Sequence, residues 1–210
     1  MARQADSTVL PTTEAQRARY ERVIEWATTI LTAGGEDALQ MKELAGRAGV
    51  SLDTLYRYFP SKEHVLAAIG VDRYERAYRK VVAEAPRGVT VRERVTDYLL
   101  HEFRTSQRNE KLTAAIFRVR HSTSRGYSEA LERLYHRHID ILLAAAGPEI
   151  TEHQRRVLPI TAQVFGSATS GWLSGIFSAA DARFEIRAGC RLLDLPAGVV
   201  DEDLEQARTS

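Results

Sequence analysis

One cysteine in 210 residues leaves no material for an intramolecular disulfide, which excludes a small stapled scaffold and fits a reducing, cytoplasmic setting. That residue, Cys190, stands among apolar neighbours and is expected as a small buried hydrophobe. Net charge is equally scarce, at +1. Residues 15 to 64 hold seven Arg or Lys against seven Asp or Glu. Bulk charge therefore offers no argument for a nucleic-acid partner, and any such argument rests on where Arg17, Arg19, Arg57 and Lys62 are placed. The familiar chemical motifs are missing too: no G-x-G-x-x-G, Walker-type loop, C-x-x-C or H-E-x-x-H occurs. The Gly/Ser-rich segment 166–175 lacks the strand that a nucleophile elbow needs. His136 and His138, two apart, point in different directions on a helix. No metal, no cofactor and no enzymatic activity are expected. The segment MARQADSTVLPTTEAQR has no apolar core and is not expected to act as a signal peptide.

Strand patterns, internal repeats and low-complexity tracts are also lacking, while 44% of residues are apolar, so the fold class expected is all-α with a real core. A disordered arm is predicted for 1–14. A helix over 15–33 follows, with Tyr20, Val23, Ile24, Ala27, Ile30 and Leu31 on one stripe, stopped by Gly34 and Gly35. Further helices are predicted from about Ser61 to Glu84, then over 91–108, 109–121 and 127–146, with a loop at 122–126, and a last helix over 181–193. Residues 199–210 read as a frayed acidic tail. Residues 15–64 are expected as one domain and 65–198 as a larger second one.

The densest signal is QMKELAGRAGVSLDTLYRYFPSK, residues 40 to 62. Leu44 opens the buried face of a short helix, Ala45 permits a close crossing, and Gly49 supplies the φ > 0 residue of a tight turn. Ser51 sits where an N-cap belongs, and Leu55 and Phe59 share one face at i, i+4. Pro60 ends the second helix. With Leu44, Val50, Leu55 and Phe59 inward, Leu52, Asp53, Thr54, Tyr56, Arg57 and Tyr58 are left facing out. Arg bonds guanine bidentately in the major groove; hydroxyls, the Ser51 cap region and Lys62 suit phosphate oxygens.

This stretch resembles the DNA-binding signature of TetR-family (tetracycline-repressor-like) regulators, closely over residues 15 to 66 and beyond that as a layout of helices. The resemblance implies a helix-turn-helix domain joined to a larger helical domain for effector binding and dimerisation, and a ligand-responsive repressor on a palindromic double-stranded operator; the alternative is an all-α enzyme or small-molecule carrier with an incidental helix-turn-helix. It implies that Lys42 touches DNA, that Leu52, Asp53, Thr54 and Arg57 face base edges, and that Tyr56, Tyr58 and Lys62 hold phosphates. Gln40 departs from the Ser or Thr usual at the first cap. Asp53 puts a negative charge on the reading face, either accepting from cytosine N4 or tolerated by the helix dipole. A narrower similarity, including the Gln-Met opening, is to the actinobacterial KstR-type repressors of cholesterol breakdown; it is confined to the DNA-binding stretch, and Leu52-Asp53 differs at base-facing positions. A steroid or fatty acyl-CoA effector is the class this suggests.

For an effector the candidates are Phe103, Ile116, Phe117, Tyr135, His138, Gln163 and Trp172, apolar walls with a few polar tips; each also reads as ordinary core. Arg104, Arg118 and Arg120 are available to an anion at the rim. Residues 157–180 carry no charge over 24 positions, yet seven Ser, Thr or Gln and a proline argue for a buried helix rather than a membrane span. On one helix Ser167, Gly171, Gly175 and Ala179 form an i, i+4 ladder of small residues, expected to serve a homodimer contact.

Overall fold

The computed structural model describes residues 10–120 and 128–199, and among these every regular element is helical. Helix α1 (Glu14–Gly34) begins at a reciprocal cap. The Thr13 hydroxyl accepts from the Gln16 N–H, and Gln16 Oε1 accepts from the Thr13 N–H. It ends at Gly35, at φ +75°, and a short 3-10 turn, Glu36–Ala38, follows. Helix α2 (Met41–Ala48) starts at Gln40, whose side chain caps nothing, and closes on Gly49 at φ +65°, the left-handed conformation that only glycine adopts without strain. Helix α3 (Leu52–Tyr58) starts at Ser51 and stops where Phe59, before Pro60, turns extended. The remaining helices are α4 (Lys62–Ala83), α5 (Val91–Arg108), α6 (Glu110–Arg120), α7 (Ser128–Ala146), α8 (Glu152–Leu173) and α9 (Ala179–Cys190).

The expected spans up to α7 are met to within a residue or two. The loop expected at 122–126, the arm before residue 10 and the tail after 199 lie outside the described residues. No helix among those described is long and apolar enough to cross a membrane.

By packing, the helices gather into two units that do not follow chain order: Met1–Arg76 with Gln107–His136, and Ala77–Ser106 with Arg137–Ser210. In the first, the stripe of α1 (Val23, Ile24, Ala27, Leu31) meets Leu44 and Ala48 of α2, Leu55 of α3, and Leu66 and Ile69 of α4. Leu112, Ala115 and Val119 of α6 complete the same core. In the second, Val95, Leu99 and Phe103 of α5, Ile141 and Leu142 of α7, Leu158 and Phe165 of α8 and Ile186 of α9 are buried. Arg94 closes α7 there, donating from Nε and Nη2 to the Ala146 carbonyl at 3.0 and 2.7 Å.

The uncharged run over 157–180 is not one helix, which corrects the expected ladder. Gly175, at φ +73°, breaks the run after α8, and the N–H groups of Ile176 and Phe177 return to the Gly171 carbonyl at 2.9 and 3.0 Å. Ser178 then starts α9 by accepting from the Asp181 N–H, two residues earlier than the sequence predicts. Ser167 lies exposed on α8, Gly171 is buried there, Gly175 sits in the turn and Ala179 opens the next helix. The Phe177 ring covers Gly171 so closely that a Cβ there would stand 2.4 Å from it. The small residue at the close approach of α8 and α9 is instead Gly189, where a Cβ would meet Val164 at 2.7 Å.

Candidate nucleic-acid interface

A seven-residue helix is too short to persist by itself, so α3 is held by what it buries and how it is capped. Its cap is complete: the Ser51 hydroxyl accepts from the Thr54 N–H at 3.1 Å and lies 2.8 Å from the Thr54 hydroxyl. Leu55, Tyr58 and Phe59 are buried, and Tyr20 of α1 packs on the last two, with ring centroids 5.9 Å from Tyr58 and 4.9 Å from Phe59. Burial also raises the Tyr20 phenol above its usual range.

The inward position of Tyr58 corrects the expectation that it holds a phosphate. Its exposure is 1%, and its hydroxyl has no hydrogen-bond partner among the described residues. The reason is helical phase: Tyr58 lies three residues beyond Leu55 and beside Phe59, so it shares their side. Tyr56, 44% exposed, points outward.

Leu52, Asp53 and Arg57 join Tyr56 on the exposed side, with Thr54 half-buried. Arg57 holds its guanidinium carbon 5.7 Å from the Tyr58 ring centroid, a cation–π contact that steadies it while its N–H fork stays open. Lys42 is exposed in the first turn of α2, and Lys62 is half-buried in the first turn of α4. Beside Lys62, a hydrogen bond with the Ser61 hydroxyl and one with its own backbone hold the Glu63 carboxyl below the usual range. Ser61 Oγ lies 2.9 Å from His64 Nδ1.

Sequence reasoning missed Arg22, whose Nε donates to the Ala48 carbonyl at 3.3 Å and so closes α2 from α1. A contact across 26 residues leaves no local signal.

The expected effector residues divide between the units. Ile116, Phe117 and Tyr135 belong to the first, with Tyr135 exposed. Phe103, His138, Gln163 and Trp172 belong to the second. There Phe103 and Trp172 meet edge to face at 5.5 Å, and buried His138 meets Phe165 at 5.8 Å; Gln163 points outward. A residue not foreseen is Thr169, fully buried with its hydroxyl unpartnered among the described residues, one helical face with Phe165 and Trp172. Arg118, expected at an anion rim, pairs with Glu36, and the side chain of Arg120 lies outside the described residues. No cluster of three or more possible metal ligands occurs among the described residues.

Residues 23–69 match the family model of bacterial regulatory proteins of the tetR family, and residues 88–193 match the tetracyclin repressor-like C-terminal domain. The chain is 33% identical over 185 residues to the HTH-type transcriptional repressor KstR of Mycobacterium tuberculosis, covering 86% of this chain and 82% of that one. It is 31% identical over 181 residues to KstR of Rhodococcus jostii, covering 85% and 84%. Among solved structures, a TetR transcriptional regulator from Rhodococcus sp. RHA1 superposes with a TM-score of 0.76 at 31% identity, over 86% of this chain and 97% of that one.

Proposed function

Because the chain belongs to the tetR family of bacterial regulatory proteins, we propose that it is a repressor that binds a palindromic operator as a symmetric dimer and releases it when a small, mostly apolar molecule binds. The observation that carries this is the outward side of α3. Leu52, Asp53, Thr54, Tyr56 and Arg57 are presented on a helix whose other side is buried, with Lys42 and Lys62 in the first turns of the helices that flank it. Arg57 reads guanine, Asp53 accepts from an exocyclic amine, and Ser51, Tyr56, Lys42 and Lys62 hold the backbone.

Dimerisation through the outward sides of α8 and α9 is supported by Ile160, Phe184 and Ile176, large apolar side chains at 44%, 67% and 75% exposure, with Ser167 on the same outward side of α8. Gly171 is occupied by Phe177 and drops out of that contact. For the effector, Phe103, His138, Trp172 and the unpartnered Thr169 hydroxyl support a site within the second unit, apolar with a few polar groups to fix orientation. Release depends on differential affinity, and a hundredfold loss of DNA binding requires about 2.7 kcal/mol of coupling.

The test is a gel shift and footprint on DNA upstream of the chain's own coding sequence. A protected inverted repeat is expected, with half-site centres about 34 Å or a multiple apart; a chain that shifts no fragment at low salt defeats the reading. A thermal-shift screen of steroids, acyl-CoAs and aromatic compounds, followed by gel shift, tests the effector. A compound that raises Tm and leaves the shift intact argues against it.

A further inference from the structure

We propose that Lys111 and Arg118 are positioning residues for DNA reading: they clasp α6 to the carboxyl end of α1, so that the placement of α2 and α3 follows α6. The inference rests on the DNA-binding function above.

Helix α1 has no basic residue in its own last turn, which leaves its final carbonyls without a positive complement. Lys111, 78 residues further along the chain, supplies it. Its Nζ donates to the Ala33 carbonyl at 2.8 Å, and its methylenes run against Gly35, 3.8 to 3.9 Å from where a Cβ would stand. Two turns along the same face of α6, Arg118 pairs with Glu36, the first residue of the 3-10 turn that leads into α2. Between them Leu112 and Ala115 enter the core that α1 and α2 share. A third tie joins α6 to α4, since Arg73 Nη1 donates to the Thr113 hydroxyl at 3.3 Å.

Chain order makes these ties consequential. The first unit takes α6 from a stretch, Gln107–His136, that is flanked on both sides by residues of the second. On the described flank α5, in the second unit up to Ser106, is joined to α6 through Asn109, so movement of α5 is delivered to α6 covalently, and the clasp passes it to α1. Helix α1 in turn holds α2 through Arg22 and the shared core. A bare surface ion pair adds little stability, so the clasp is to be judged by DNA reading rather than by melting.

The probe is a duplex spanning the footprint upstream of the chain's own coding sequence, and the full chain is used throughout. Lys111→Met keeps the unbranched packing against Gly35 and removes the donor; it should weaken operator binding about 2- to 30-fold with an unchanged salt slope. Arg118→Glu should weaken it likewise, and adding Glu36→Arg should restore it. Arg94→Met removes a closure of the same kind from α7 in the second unit; it should melt earlier than wild type and bind DNA as wild type does. The inference is overturned if Lys111→Met and Arg118→Glu bind as tightly as wild type. It is also overturned if the salt slope of Lys111→Met falls by about one, which marks a direct phosphate contact, or if Arg94→Met weakens binding as much. A wild-type chain that shifts no fragment overturns the DNA-binding reading and this inference with it.

Discussion

The outward side of α3 and the outward sides of α8 and α9 are both left bare by the packing of their units, and they are bare in opposite ways. On α3 the exposed groups are a carboxylate, a guanidinium, a phenol and one leucine. On α8, α9 and the turn between them three large apolar side chains, Ile160, Phe184 and Ile176, stand exposed among the charged groups Arg155, Arg156, Glu185 and Arg187. Solvated polar groups cost nothing while they wait and give directional, salt-dependent contacts when a charged partner arrives. Apolar groups gain by leaving water, about 25 cal/mol for each Å² buried, with little preference in direction. Directional contacts suit a partner whose sequence must be distinguished. Non-directional ones suit a partner that is always the same, such as a second copy of the chain.

Leu55→Ala should break the comparison most severely. Leu55 is fully buried, and truncating it should cost about 2 to 5 kcal/mol, abolishing operator binding. Chemical denaturation reads the cost directly, while sedimentation should still show the dimer proposed through α8 and α9. Phe184→Glu attacks the other side: self-association should weaken by about 2 kcal/mol or more, followed by analytical ultracentrifugation. An unchanged dimer would show that this apolar side serves something else. Arg57→Ala should cost about 1 to 3 kcal/mol at one operator position and relax specificity there. A panel of single-base operator variants separates that from general weakening. Lys62→Ala should weaken binding to all sequences alike and lower the salt slope by about one. If affinity is unchanged at several salt concentrations, Lys62 is not on the backbone.

The smallest effect concerns the helix caps that both units share. Hydrogen bonds from the Thr90 and Val89 N–H groups hold the Glu93 carboxyl below its usual range at the start of α5. A depressed pKa contributes stability above the unfolded value and loses it as pH falls through the folded one. Acid melting of Glu93→Gln should therefore lack part of the pH dependence seen in wild type. Parallel melting curves for the two would remove Glu93 from the account.

What was legible in the sequence follows the range of the interactions. Gly49, Ser51 and Pro60 act on their own neighbours, so the turn, cap and stop of the helix-turn-helix were plain, and the inward phase of Leu55 and Phe59 followed. The inward place of Tyr58 is legible in the phase it shares with Leu55 and Phe59, though a phenol suits either side of a helix, and the Tyr20 ring packs on it there. The ladder over 167–179 was misread because Gly175 serves equally as a small helical residue and as a left-handed terminator; Phe177 folding onto Gly171 selects the second. Lys111 and Arg118 had no signal at all, since their partners lie near residue 35.

That the core around α1 and α2 is closed by Leu112, Ala115 and Val119 has a consequence for protein engineering. The reading head is not a cassette that can be cut at residue 76 and fused to a new sensor. A chimera carrying only the N-terminal stretch would leave the α1 stripe wet on the side that α6 covers, and would be expected to aggregate or to borrow the wrong neighbour. A transplant that works has to bring two pieces of chain, with the foreign sensor spliced into the gaps between them.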